Sequence, residues 1–181
     1  ILLQTDRINR IVQSLIDFSR GEQSAQTSVQ KVSLHKAANE AIQLLKLSIA
    51  KPEVQFICDI DDQMMVLGDY HQLIQILLNL LSNGRDASPA NGLVIIKAVT
   101  ELTQIRVTIS DFGTGVEENI SDRLFEPFVT SKEPGQGTGL GLWVVFNLVE
   151  KMGAEIAISS PAENSACGTT VTLFFPLSSP P

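Results

Sequence analysis

Two carboxamides stand four residues apart, Asn79 and Asn83, in the stretch NLLSNGRDA. On a helix that spacing puts both on one face, one turn apart. Their oxygens are hard donors of the kind Mg2+ takes while it keeps several waters and bridges phosphates. Downstream, Asp111 ends an apolar run and opens a glycine turn, DFGTGV. A second glycine turn, GQGTGLGL, begins at Gly135 and runs directly into an apolar helical stretch over residues 140–152. Glycines let backbone N–H groups come close to an anion, because no Cβ blocks the turn. The amides of that turn and the N-terminus of the following helix then face one phosphate. These residue types describe a nucleotide site.

Between the two turns lies LFEPFVTSK, residues 124–132. Phe125 and Phe128 flank Glu126-Pro127 and either pack in the core or anchor a hinge that carries a lid over 128–139. Lys132 follows, a point charge able to reach a terminal phosphate. Arg123 offers a second cation, for which a surface role is the plainer reading.

In their order and spacing, these four segments resemble the ATP-binding catalytic domain of two-component sensor histidine kinases. That domain belongs to the wider superfamily of gyrase, Hsp90 and MutL. The resemblance covers residues 30–177. A G-x-x-x-x-G-K-[ST] loop is absent, and the glycines follow a polar stretch rather than a buried strand, so neither a P-loop nor a Rossmann fingerprint fits. The resemblance implies ATP and Mg2+ as cofactors. It also implies a Bergerat-type fold, a two-layer α/β sandwich of a mixed, mostly antiparallel sheet with a helix layer, the nucleotide lying between the helices and mobile loops.

Carried over to this chain, the resemblance makes Asn83 the metal ligand, supported by Asn79, with Lys132 completing the catalytic set. Gly84 stands where alanine is usual. The base and phosphates fall to Asn83, Asp86, Asp111, Gly113, Gly115, Val116, Lys132, Gly137, Thr138, Gly139, Leu140, Gly141, Leu142 and Thr169. A carboxylate in an apolar pocket must be hydrogen-bonded. The exocyclic amine of adenine supplies a donor to Asp111, whereas guanine presents an acceptor there. Asp86 either accepts from the ring or ribose, or pairs with Arg85 or Lys132. Thr169 either serves the adenine edge through water or is a core threonine.

Hydrolysing members of the superfamily carry a glutamate where this chain has Asn79, and an amide cannot act as a general base. The chain therefore reads as a kinase delivering phosphate to a histidine, which passes it to an aspartate on a response-regulator receiver domain. His35 and His71 lack the H-E-x-x-N-P surroundings of an acceptor, which is expected in an upstream helical hairpin. A gyrase-, Hsp90- or MutL-type ATPase and a nucleotide-binding scaffold without catalysis are the other readings.

These residues need elements to hold them. Helical periodicity covers residues 34–50, the NLLSNGRDA segment behind an Asp69 cap, and 140–152. A short helix is expected over 117–123. Strand patterns cover 54–60, 64–67, 93–100, 105–110, 155–159 and 169–175, with 93–100 and 105–110 forming a hairpin. Residues 1–20 repeat apolar side chains at three and four (Ile8, Ile11, Val12, Leu15, Phe18). They read as one isolated helix, either the C-terminal part of the dimerisation and phosphotransfer hairpin or an ordinary docking helix. A linker over 21–30, the catalytic domain over 31–177 and a tail over 178–181 complete the expected organisation.

A net charge of −7 without a basic run argues against nucleic acid. Cys58 and Cys167 lie outside any C-x-x-C and read as buried free thiols rather than a disulfide. No apolar run reaches the length of a membrane span. The start at Ile1, inside a helical pattern, reads as a piece of a longer protein. The expected setting is a cytoplasmic domain of a homodimeric parent, either soluble or membrane-anchored.

Overall fold

The computed structural model describes residues 30–47, 53–132, 137–162, 165 and 167–177. The expected helix over 1–20, most of the linker, the tail, Gly135, and the end of the helix expected to reach Ala50 lie outside the described residues. Seven strands and three α-helices follow in order: β1 (Gln30–Ser33), α1 (Leu34–Leu47), β2 (Gln55–Asp59), β3 (Met65–Gly68), α2 (Tyr70–Ala87), β4 (Leu93–Thr100), β5 (Gln104–Asp111), α3 (Gly141–Lys151), β6 (Glu155–Ser159) and β7 (Thr169–Pro176). A 3-10 helix, Glu118–Arg123, lies between β5 and α3.

The main sheet has the order β2-β4-β5-β7-β6. Only β2 and β4 run parallel. The other three pairings are antiparallel, so the sheet is mixed and mostly antiparallel as expected. Its helix-facing rows follow from alternation: Val94 and Ile96 on β4, then Ile105, Val107 and Ile109 on β5, are all buried. Leu173 and Phe175 continue them on β7. One strand was not anticipated. β1 has only one buried side chain, Val32, and earns its place by antiparallel pairing with β3.

The helices cover this face with stripes at three and four. α1 buries Leu34, Ala37, Ala38, Ala41 and Ile42, and α2 buries Leu73, Ile74, Ile76, Leu77, Leu80 and Leu81. Each large aliphatic side chain contributes about 1.5–3 kcal/mol on burial, so the stripe on α2 dictates which way its polar face must turn. Asp69 caps α2 as anticipated, its carboxylate accepting from the Gln72 amide at 2.9 Å. The helix continues through Gly84, so Asn83-Gly84 is not a turn. Gly84 faces the sheet, and a Cβ there would sit 3.3 Å from Val94 Cγ1 and 3.5 Å from Asp111 Cβ. Among the described residues no helix is long and apolar enough to cross a membrane.

Candidate functional site

With its apolar stripe buried, α2 carries Asn79, Asn83 and Asp86 on the remaining face, at i, i+4 and i+7. The first residue of α3 comes to the same place. A Cβ on Gly141 would lie 3.9 Å from Asn79 Oδ1 and 4.0 Å from Asn83 Nδ2. The positive end of α3 thus stands against the paired carboxamides. Among the described residues no group of three or more His, Cys, Asp or Glu side chains could hold a metal. Two neutral amides make only part of a coordination shell. That donor set fits Mg2+, which takes its remaining ligands from phosphate and water.

Asp111 sits at the end of the core-facing series on β5, where alternation would otherwise call for an aliphatic side chain. It is only 6% exposed. Its Oδ1 accepts from the Gly113 amide at 2.9 Å. Burial pushes its pKa up, and hydrogen bonds from the Gly113 and Thr169 amides pull it part of the way back. Thr169 stands directly opposite Asp111 in the β5–β7 register. A carboxylate has about four lone-pair sites, so two backbone donors leave room for a ligand amine. Gly113 packs against the Ala87 carbonyl at the end of α2. Gly168, at φ +86°, lies so close behind Asp111 that any Cβ would overlap the Asp111 carbonyl oxygen. Gly115 and Val116 follow on the same loop and meet Ser160, a residue with no signal in the sequence motifs.

On the phosphate side the chain doubles back. The Phe128 amide donates to the Gly139 carbonyl at 2.9 Å, both residues having positive φ. A Cβ on Gly139 would run into the Phe128 backbone. The two aromatic residues divide here. Phe125 packs on Phe146 with ring centroids 5.2 Å apart, whereas the Phe128 ring is 65% exposed and anchors nothing in the core. Thr138 Oγ1 accepts from the Leu140 amide at 3.3 Å, Leu140 is buried, and Leu142 packs against the core. Gly137 lies beside Thr130 and the Lys132 stem.

Lys132 Nζ donates to Asp86 Oδ2 at 2.7 Å, and Arg85 Nε stands 3.6 Å from Asp86 Oδ1. Of the roles open to Asp86, ion pairing is the one seen. Arg123 pairs with Glu126 at the surface. His35 contacts Asn39 on its own helix, and His71 meets Tyr70 edge-on. Both cysteines are free, but neither is fully buried: Cys58 on β2 is partly buried, and Cys167 is exposed on the irregular segment before β7.

Residues 68–179 match the family described as histidine kinase-, DNA gyrase B-, and HSP90-like ATPase. The chain is 31% identical over 175 residues to the sensor histidine kinase ZraS of Escherichia coli, a match covering 96% of this chain and 36% of ZraS. It therefore spans about a third of that relative's length. The mycobacterial sensor histidine kinase MprB has the same fold, with a TM-score of 0.72 and 22% identity over 82% of this chain and 97% of that one. So does histidine kinase ThkA, solved in complex with response regulator protein TrrA, with a TM-score of 0.74 and 21% identity over 96% of this chain and 49% of that one.

Proposed function

This chain belongs to the histidine kinase-, DNA gyrase B-, and HSP90-like ATPase family, as an ATP-binding catalytic domain of the histidine kinase type, and from that premise we propose that it transfers the γ-phosphate of ATP to a histidine. The observation that carries the proposal is the meeting of α3's first residue with Asn79 and Asn83. A helix N-terminus and two hard donors converge where a polyphosphate would lie, with a buried carboxylate placed for adenine beyond them. Asn83, supported by Asn79, would hold Mg2+, which neutralises phosphate charge when bound. The chain's own part is positioning: Asp111 selects adenine, the Gly139–Gly141 turn and α3 amides receive the phosphates, and Lys132 adds a cation beside them. The amide at Asn79 cannot take a proton from water, which favours transfer to a side chain over hydrolysis.

The acceptor is assigned to a dimerisation and phosphotransfer hairpin, and the next acceptor to a response-regulator receiver domain, as the ThkA–TrrA pairing suggests by analogy. The parent is read as a homodimer with this domain in the cytoplasm. The test is transfer in trans. Incubated with labelled ATP and a hairpin fragment holding an H-E-x-x-N-P histidine, the chain should label the fragment with acid-labile, base-stable phosphate and acquire none itself. Label on His35 or His71, or free phosphate with no label anywhere, would overturn the proposal, and the second outcome would favour the ATPase reading.

Lys132 supports a second, smaller prediction. A charge-assisted contact is worth about 1.5 kcal/mol or more, close to tenfold. Lys132→Gln should therefore weaken ATP binding about tenfold and ADP binding less than twofold, measured by calorimetry. Equal losses for both nucleotides would remove Lys132 from the γ-phosphate.

A further inference from the structure

Ser160 follows β6 directly and belongs to none of the glycine or asparagine motifs. Its hydroxyl nevertheless joins two loops that meet around Asp111. The Val116 amide donates to Ser160 Oγ at 2.9 Å, across 44 residues of sequence. The same hydroxyl donates to the Gly168 carbonyl at 3.0 Å. Gly115, at φ +76°, turns its missing side chain towards Ser160, since a Cβ there would stand 2.8 Å from Oγ. Gly168 in turn abuts the Asp111 carbonyl. One hydroxyl, used as both donor and acceptor, therefore ties the glycine turn in front of Asp111 to the glycine behind it.

We propose that Ser160 is a positioning residue for the base: without touching ATP, it holds the 113–116 turn against Gly168 so that Asp111 meets adenine in a preset frame. The proposal rests on the ATP-site reading and deepens it. Two glycines make the 113–116 turn conformationally costly to order. A turn already tied down binds with less ordering at the moment of association. Threonine preserves a hydroxyl with both capacities, whereas alanine removes both. Because Ser160 serves the base end, its loss must fall alike on every adenine nucleotide, whatever the number of phosphates.

The test is calorimetry of the chain with MgATP, ADP and AMP, in Ser160→Ala and Ser160→Thr variants. Ser160→Ala is expected to lower all three affinities by the same factor, about fivefold, while Ser160→Thr stays within twofold of the parent. In nucleotide-free spectra the amide resonances of Gly115 and Val116 should shift in the alanine variant, with a melting temperature within a few degrees of the parent. Unchanged affinities in Ser160→Ala, a loss confined to ATP, or a threonine variant as weak as the alanine one would each overturn the role of Ser160 while leaving the site standing. Failure of the parent chain to bind any adenine nucleotide would overturn the site reading and this proposal together.

Discussion

Asp111→Asn is expected to lower ATP affinity by ten- to about a hundredfold while leaving the melting temperature of the nucleotide-free chain no lower. A hydrogen bond to a charged group contributes about 1.5–3 kcal/mol, and the asparagine can turn an amide N–H towards the adenine amine, leaving two donors face to face. The stability half follows from the cost of burying charge. Burial raises the Asp111 pKa even though two backbone amides oppose it. An acid whose folded pKa lies above its unfolded one stabilises the fold below the unfolded value. That contribution is lost as pH rises through the folded one. At neutral pH the free chain therefore carries a strained carboxylate, which the uncharged amide relieves. Melting curves at pH 4 and pH 7 should show the variant gaining on the parent as pH rises, and calorimetry should show the binding loss at pH 7. Unchanged ATP affinity would take Asp111 out of the site.

The reason Asp111 was legible from sequence is local: strand alternation sets its face, and a glycine turn begins beside it. The same holds for Asn79 and Asn83, whose orientation follows from the apolar stripe on α2 and needs no knowledge of the sheet. Periodicity also sufficed for most strands and helices. It failed at β1, where four residues with one buried side chain have no period to read. Phe128, left open between core packing and a hinge, is largely exposed, and no side-chain pattern encodes its positive φ or its backbone bond to Gly139. The partner of Asp86 stayed open because Lys132 is 46 residues away and the choice depends on how the chain returns from β5 to α3. Ser160 is the extreme case. Its two bonds join loops that only strand pairing brings together, so nothing within a short window marks it. Local chemistry was readable, and contacts made by the topology were not.

The paired amides bear the second large effect. Asn83→Ala is expected to reduce ATP affinity about thirtyfold in Mg2+ and less than threefold in EDTA, by calorimetry in both buffers. The side chain does little else in the fold. Asn83 is half-buried at the edge of the apolar stripe of α2, and it is neighbouring Gly84 whose Cβ position meets Val94 and Asp111. Removal of an amide that packs or caps would cost the same with or without metal, because neither packing nor capping depends on it. Removal of a metal donor costs affinity only when the metal is there to be held. The difference between the two buffers therefore isolates ligation from structure. Asn79→Ala supplies the internal scale: as the supporting member of the pair, one turn earlier and nearest to Gly141, it should show the same dependence on Mg2+ with a smaller loss. Equal losses for Asn83→Ala in Mg2+ and EDTA would reassign that amide to the fold and leave α3 and its glycine turn as the sole phosphate site.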